Sequence, residues 1–503
     1  MMTLSRRGFL AASAASAASL LIPAHLRAAT GPLTLRAETR VLDIDGRAAT
    51  VWGLTNGSGT QGLTLAPGER FRVDLTNALP EATLIHWHGQ IPANAQDGVP
   101  DMPAPKLKPG ETRSYDYAAL PGTYWMHAHI PLQELHLLAA PLIVHTAGDL
   151  AADRQEVVMT LHDFSFKAPE EVMAAITGSS AGGDDHSAGM AGQGMGAMGS
   201  GGGMAGGTMG GMSGMSGMTG MSGMAGMSGM AMDLNDFDFD AYLANDRTLN
   251  DPEVVRVDKG GKVRLRVVNA STATAFWLDL GTLGGQLVAV DGTPVQLRTV
   301  SRFGLAMAQR ADLLIDLPGP GAFPVLALRE GARERTGIIL ASPGAAVAKV
   351  APLGADESPA FSADLTQEAA LRAVTPLADR PVDHAQMLML AGAMTPYVWT
   401  IDGHTWADHV PVSVRSGERV ELTFHNMSMM AHPMHLHGHK FQVVALNGQR
   451  VAGAVRDTVH VPPMAAVTIA FDAGEAARWM LHCHHMMHLQ SGMMTELAIS
   501  SAA

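Results

Sequence analysis

The feature that most constrains this chain is a set of ten histidines in closely spaced groups near its two ends. Two histidines spaced as His-x-His on an extended strand point to the same face, so each pair can offer two nitrogen ligands to one place. A fold that uses all the groups must bring the two ends of a 503-residue chain together. The groups are His86-Trp87-His88, His127-Ala128-His129, His432-Pro433-Met434-His435-Leu436-His437 and His482-Cys483-His484, the last followed by His488 and Met493.

The single cysteine, Cys483, indicates a metal site. One cysteine excludes an internal disulfide, and strand alternation turns its thiol away from the face shared by the two flanking histidines. One thiolate, two imidazoles and a weak thioether can be assembled from Cys483, His432, His488 and Met493. This ligand set is typical of a blue-copper electron-transfer site, whereas a structural zinc site groups its ligands in one place. The sequence therefore predicts copper.

Several other histidines stand alone in the sequence. A histidine without a ligand-like neighbour is more often an ordinary polar residue than a metal ligand. We therefore expect no metal at His25, His136, His145, His162, His384, His404, His409 or His460.

The rest of the chain has the pattern of antiparallel β-sandwiches: short alternating runs separated by Gly and Pro turns. Three blocks open in the same way, with a turn followed by an alternating strand, at Pro67–Val73, Lys259–Leu265 and Ser416–Leu422. We predict an all-β protein of three related Greek-key sandwiches. Their expected bounds are 30–148, 149–345 and 384–503, with a Pro/Ala-rich linker at 346–383.

The first 29 residues resemble an export signal. Arg6 and Arg7 precede an apolar, Ala-rich run to Ile22, and small residues follow at Ala28-Ala29. The pattern predicts export by the twin-arginine machinery to the periplasm, a route that suits a protein loaded with its cofactor before transport. No other stretch is long and apolar enough to span a membrane, and a net charge of −13 argues against nucleic acid as a partner.

A low-complexity insert at 177–233 interrupts the second block. Thirteen methionines fall within 190–232, and glycine recurs at every third position from Gly211 to Gly229. The insert is either a tolerated flexible linker or a flexible segment of thioether ligands, which favour Cu(I) over hard cations. The candidate copper-binding methionines in the regular part are Met212, Met215, Met218, Met221, Met224, Met227 and Met230.

These histidine and cysteine motifs resemble those of the multicopper oxidase family over essentially the whole mature chain. The resemblance implies three cupredoxin-like domains and four copper ions, with one copper cluster shared between the first and third domains. It also implies that Asp97 relays protons. The implied ligands are His432, Cys483, His488 and axial Met493 for type 1 copper, His86 and His435 for type 2, and two sets for the type 3 pair: His88, His127 and His484, and His129, His437 and His482.

The same resemblance implies an oxidase that takes single electrons from a donor and reduces O2 to two waters. With its predicted export signal and many methionines, the chain resembles the copper-efflux oxidases of this family, which oxidise Cu(I), and we predict a cuprous oxidase with laccase-like activity on phenols. Met430 matches a substrate-binding methionine of that group. Met427 is a further candidate for substrate copper. Two positions depart from the family pattern: Ser428 replaces an acid near the blue copper, and Leu489 replaces a second relay acid. A laccase for organic phenols and a copper-storage protein remain alternatives, and we expect a monomer.

Overall fold

A computed structural model describes residues 31–178, 234–258 and 260–502. The predicted export signal and the methionines at 190–232 lie outside these residues. The all-β prediction is confirmed: the described chain consists mainly of strands in six sheets, with four short α-helices and three turns of 3-10 helix. None of the helices in this part of the chain is long and apolar enough to cross a bilayer.

The first pair of sheets is built from residues 33–144. In β4 (Arg70–Asn77) the residues Phe71, Val73 and Leu75 alternate with polar residues and are buried, because a strand that packs on one side buries every second side chain. The sheet orders are β2-β1-β4-β6 and β3-β8-β7-β5. The other strands are β1 (Leu33–Ile44), β2 (Arg47–Asn56), β3 (Leu63–Leu65), β5 (Ile85–His88), β6 (Thr112–Ala118), β7 (Gly122–Ala128) and β8 (Ala139–Val144).

The second pair of sheets spans residues 155–341. Its core is formed by alternating residues such as Val263, Leu265 and Val267 of β12. The sheet orders are β10-β9-β12-β17-β14-β15 and β11-β19-β18-β13-β16. The strands are β9 (Gln155–Phe164), β10 (Ala241–Ala244), β11 (Val254–Arg256), β12 (Lys262–Asn269), β13 (Phe276–Asp279), β14 (Gly285–Val290), β15 (Thr293–Val300), β16 (Arg302–Leu305), β17 (Arg310–Asp316), β18 (Ala322–Arg329) and β19 (Arg335–Ala341).

The third pair of sheets contains the C-terminal strands, ordered β21-β20-β23-β29-β25-β26, with β27 also on β25, and β22-β31-β30-β24-β28. The segment between the second and third pairs packs against the protein, and Leu365 and Leu371 are buried in a core common to both. The strands are β20 (His384–Met394), β21 (Tyr397–Ile401), β22 (Val412–Arg415), β23 (Arg419–Asn426), β24 (His432–Leu436), β25 (Phe441–Leu446), β26 (Gln449–Arg450), β27 (Val455–Arg456), β28 (Thr458–Val461), β29 (Ala466–Asp472), β30 (Arg478–Cys483) and β31 (Met494–Ser500).

The four helices are α1 (Ala147–Ala151), α2 (Pro169–Thr177), α3 (Thr366–Ala369) and α4 (Met486–Gln490). Helix α2 starts with proline, whose missing N–H costs nothing at that position, and ends at Gly178 in the left-handed conformation. The Met-rich insert follows directly. Helix α4 lies just after Cys483 and carries His488 back towards it.

Candidate copper centre

The histidine groups lie on two pairs of neighbouring strands. In the β5–β7 pair His86 lies opposite His127, and in the β24–β30 pair His435 lies opposite His482. The two strand pairs meet, and Nε2 of His86 lies 3.4 Å from Nε2 of His435. The structure therefore brings the two ends of the chain together at these imidazoles, and all eight histidines of the predicted type 2 and type 3 sites are buried.

Three imidazoles converge on one side of this cluster. Nε2 of His437 lies 3.2 Å from Nε2 of His129 and 3.1 Å from Nε2 of His482. On the other side the ring of His484 lies 5.1 Å from that of His88 and 5.0 Å from that of His127. The two triplets correspond to the two ligand sets that the family resemblance implies for the type 3 pair.

Unpartnered nitrogens test whether copper fits here. Nδ1 of His88, Nε2 of His127 and Nε2 of His484 are buried, and none has a hydrogen-bond partner among the described residues. Buried polar atoms in native proteins are nearly always paired, so three unpaired imidazole nitrogens in one place are explained by a bound ion. These residues fit copper, which accepts imidazole ligands readily.

The opposite ring nitrogens are held by the protein. Nδ1–H of His437 donates to the side-chain Oδ2 of Asp97 at 2.8 Å. Nδ1–H of His86 donates to the backbone carbonyl oxygen of Asp97 at 2.7 Å. Nδ1–H of His127 donates to Oε1 of Glu134 at 2.8 Å. Such contacts fix the tautomer and the orientation of a metal-binding imidazole. Asp97, which sequence analysis assigned to proton transfer, thus contacts two histidines of the cluster.

Burial prepares these side chains to bind metal. It lowers the pKa of His86, His88, His129, His435, His437 and His484 well below the usual value, and that of His482 to about 4. The imidazoles are therefore neutral near pH 7, which leaves a lone pair free for copper. Burial also raises the pKa of Cys483, so its thiol needs a bound metal to become a thiolate.

The predicted blue-copper ligands form a separate triangle. Sγ of Cys483 lies 3.7 Å from Nδ1 of His432 and 3.7 Å from Nδ1 of His488, and the two nitrogens are 3.1 Å apart. Met493 is buried in the same turn, where its carbonyl accepts the backbone N–H of Cys483. The triangle offers two nitrogens and one sulfur, as a blue-copper site requires.

The outer edge of His488 is covered. The rings of Trp399 and His485 lie on its two faces, with centroids 4.0 Å and 3.9 Å away. Oδ2 of Asp236 lies 3.5 Å from Nε2 of His488, and the Asp236 side chain is fully buried. Burial alone would raise the pKa of Asp236, but its contacts with His488, His485 and Tyr397 outweigh burial and lower it to about 2. Asp236 is therefore a carboxylate.

The predicted substrate residues have different positions. Met430 is buried and Met427 is half exposed, both just before His432. Ser428, which stands where the resemblance implied an acid, has its hydroxyl 2.8 Å from Nε2 of His432. The methionines of the insert at 212–230 lie outside the described residues.

Sequence reasoning missed three acidic contacts or left them open. Asp236 lies just beyond the insert, and Glu134 lies between the histidine groups. Neither residue is part of a recognisable motif. For Asp457 the sequence leaves open a partner of a copper-binding imidazole or an aspartate at the start of a strand. In the structure its Oδ1 lies 3.2 Å from Nε2 of His88, and its carboxylate is bound by Arg310 and Lys440. Buried charges cannot be identified from local spacing alone.

A cavity of about 290 Å³ lies beside the type 3 side of the cluster. Its wall includes Glu134 and Leu489, the latter at the position where the family pattern would place an acid. Mostly apolar lining suits a small uncharged molecule better than an ion. The cluster histidines that line it are His127, His129, His482 and His484.

Comparisons with known proteins agree with this geometry. Three models described as multicopper oxidase match residues 37–149, 215–342 and 379–503. The multicopper oxidase MmcO of Mycobacterium tuberculosis is 30% identical over 98% of this chain and 96% of its own length. Copper resistance protein A of Escherichia coli is 25% identical over 97% of this chain and 95% of its own. The crystal structure of Fet3p, described as a multicopper oxidase that functions in iron import, has a similar fold, with a TM-score of 0.70 at 16% identity over 93% of this chain and 90% of that chain.

Proposed function

Because this chain belongs to the multicopper oxidase family, we propose that it is a periplasmic cuprous oxidase serving copper tolerance. In the proposed reaction four Cu(I) ions become Cu(II), while one O2 and four protons become two waters. The resident coppers, when bound, would supply the electron transfer and the reduction of O2. The names of two relatives, copper resistance protein A and MmcO, support the link to copper.

The residues divide this work between two places. His432, Cys483, His488 and Met493 would hold type 1 copper, and His86 with His435 would hold type 2. His482 and His484 flank Cys483 in the chain, so a short covalent path joins the two places. The type 3 pair would be held by His88, His127 and His484 and by His129, His437 and His482.

Two further features of the protein would bring protons and O2 to the cluster. Asp97 is a buried carboxyl that contacts His86 and His437, and we assign it the delivery of protons to the cluster. Burial raises the pKa of Asp97, which favours its holding a proton nearer neutral pH. The apolar cavity beside His127 and His484 offers O2 a way in.

The observation that carries the proposal is the contact of Asp236 with His488. Asp236 lies four residues after the last methionine of the insert, and the described chain that follows the insert lies beside the blue-copper ligand. Thioethers select Cu(I), and a buried carboxylate beside His488 attracts a cation. We therefore propose that Cu(I) captured by the insert gives up its electron at this ligand.

The enclosure of His488 supports a small donor. A phenol that reacts at a blue copper needs contact with the edge of a ligand imidazole. Here Asp236, Trp399 and His485 cover that imidazole, and His488 has no exposed surface. The laccase alternative therefore requires this cover to open, whereas a metal ion requires much less space.

The experiment compares O2 consumption with Cu(I) and with 2,6-dimethoxyphenol as donors. One variant lacks residues 190–232, and a second keeps the length but replaces all thirteen methionines in that range with glutamine. If the insert captures Cu(I), both variants lose efficiency with Cu(I) and keep it with the phenol. A loss only in the deletion would assign the effect to length, and unchanged Cu(I) kinetics in both would overturn the role of the insert. A wild-type enzyme that turns over the phenol but not Cu(I) would overturn the proposed function.

A further inference from the structure

A second, smaller cavity lies close to His488, between the second and third pairs of sheets. Its volume is about 20 Å³, enough for one water molecule or one ion. Leu234, which follows the insert, forms part of its wall together with four alanines and a proline. The side chains with metal-binding chemistry that line it are Met307, Glu330, Met430, His460 and His485.

Two imidazoles in this wall are unpartnered. Both ring nitrogens of His460 and both of His485 are buried without a hydrogen-bond partner among the described residues. Oδ2 of Asp236 lies 3.5 Å from Nε2 of His485, at the outer limit for an ion pair. His485 is only 3% exposed. Such a concentration of unsatisfied nitrogen atoms around one small space calls for an occupant that accepts their lone pairs.

The other ligands decide which occupant fits. Met307 and Met430 contribute two thioethers and are 5% and 3% exposed. Thioethers and neutral imidazoles are ligands for a soft monovalent cation, whereas a hard divalent cation would need several oxygens. Glu330 is the one carboxylate among these five side chains, and its Oε1 already accepts the backbone N–H of Phe361. A thioether sulfur is only a weak hydrogen-bond acceptor, so these two side chains suit a soft metal ion better than a water molecule.

We propose that this cavity is a holding site for one Cu(I) ion, bound by Met307, Met430, His460 and His485. The inference rests on the proposed function for the identity of the ion. Its position suits a donor site, because the ring of His485 stacks at 3.9 Å on that of His488, the blue-copper ligand. Asp236 contacts both imidazoles, so one carboxylate balances charge on both sides of the stack.

The position of His460 provides a path by which an ion could reach this site without the insert. The same residue lines an outer cavity of about 430 Å³, between the second pair of sheets and the segment around Phe361. His460 thus stands between the outer cavity and the small one. The site should therefore bind its ion even when residues 190–232 are removed.

Ag(I), which has the charge and ligand preference of Cu(I) but is not oxidised, tests the site directly. The protein is the copper-loaded enzyme lacking residues 190–232, so that insert methionines do not compete. Crystals soaked in Ag(I) are examined by anomalous diffraction, and affinity is measured by titration calorimetry. We expect one strong silver peak in the small cavity, and affinity at least about tenfold weaker in Met307→Leu and in His460→Phe. Met159→Leu, a buried methionine in the core of the second sheet pair, is the matched control and should bind silver like the parent.

Blue absorption and Cu(I) turnover, measured beside silver binding, keep the outcomes separate. The blue absorption of each variant reports whether the neighbouring Cys483 site has folded and kept its copper. If the variants remain blue and the cavity holds no silver, or if Met307→Leu and His460→Phe bind silver as tightly as Met159→Leu, the holding site is wrong. Silver in the cavity of a wild-type enzyme that does not oxidise Cu(I) would leave the site standing and overturn the proposed function. Cu(I) turnover without silver in the cavity would do the reverse.

Discussion

Asp236 lies with its carboxylate 3.5 Å from the imidazole of His488, although Asp236 is in the loop before β10 and His488 is on helix α4. The contact depends on the chain returning from the Met-rich insert at the blue-copper ligand. A buried negative charge at this place stabilises the positive charge of a nearby metal ion, both in substrate and in the resident site.

Replacing Asp236 with asparagine should therefore weaken the use of Cu(I) more than the use of a phenol. We expect kcat/KM for Cu(I) to fall about 10- to 100-fold, the range seen when a group behind a metal ligand is lost. The blue copper should become easier to reduce, because the oxidised site loses a neighbouring negative charge. Steady-state O2 consumption and a redox titration of the blue band measure the two effects.

Asp238 provides the matched control. It lies on the same segment, but its side chain is 91% exposed and it contacts Arg329. Asp238→Asn should change neither kcat/KM for Cu(I) nor the reduction potential. Equal losses in both variants would mean that the segment acts through general surface charge, and the assignment of Asp236 would fail.

A second prediction concerns Asp457, which joins three parts of the molecule. Its carboxylate accepts two hydrogen bonds of 2.6 Å from Arg310 and lies against Lys440 and His88. The side chains of Arg310 and Asp457 have no exposed surface, so Asp457→Asn removes the close partner of a buried guanidinium and leaves it the longer 3.8 Å contact to Asp291. We expect a loss of about 3–5 kcal/mol in the free energy of unfolding, the usual cost of breaking a buried pair. Type 2 and type 3 copper should also be depleted, as measured by metal analysis and electron paramagnetic resonance.

The exposed pair between Arg154 and Asp316 tests whether burial is the cause. The two atoms are as close, at 2.6 Å, but the Asp316 side chain is 68% exposed. Asp316→Asn should cost no more than about 1 kcal/mol, because solvent screens surface pairs. Comparable losses in the two variants would contradict the central role of Asp457.

These contacts also show how far the sequence could predict the site. The spacing of His86, His88, His435 and His437 was informative because strands alternate with a period of two, and the structure brings these rings together. The β-sandwiches were predicted from the same alternation, and their cupredoxin-like character was implied by the family resemblance. Asp236 could not be found in this way, since its contact with His488 is set by the path of the chain after a low-complexity insert. His460 was treated as an ordinary polar residue, and only the cavity around it suggests otherwise.

A third prediction uses the buried carboxyl of Glu330, whose pKa is raised by burial to about 7 from an ordinary value of 4.5. Between these two values the folded state binds more protons than the unfolded state, so stability falls as the pH rises from about 4.5 to about 7 and then levels off. The contribution is about 3 kcal/mol over this window. Glu330→Gln should remove it, giving a flatter dependence of the melting temperature on pH. Glu357→Gln, which changes an exposed carboxylate, should keep the wild-type slope; identical slopes in all three proteins would show that Glu330 is not protonated in the folded state.

The last prediction separates proton delivery from electron transfer at Asp97. In Asp97→Asn the amide oxygen can still accept the hydrogen bond from Nδ1 of His437, so the ligand stays in place while the ionisable group is lost. Bleaching of the blue band by a donor without O2 should keep its wild-type rate. Return of the blue band after O2 is admitted should slow by about 100-fold or more, since a positioned acid contributes about that much to proton transfer. Asp116→Asn, which changes an exposed carboxylate, should affect neither phase. If Asp97→Asn slows the bleaching as much as the recovery, Asp97 acts by holding His86 and His437 and not by delivering protons.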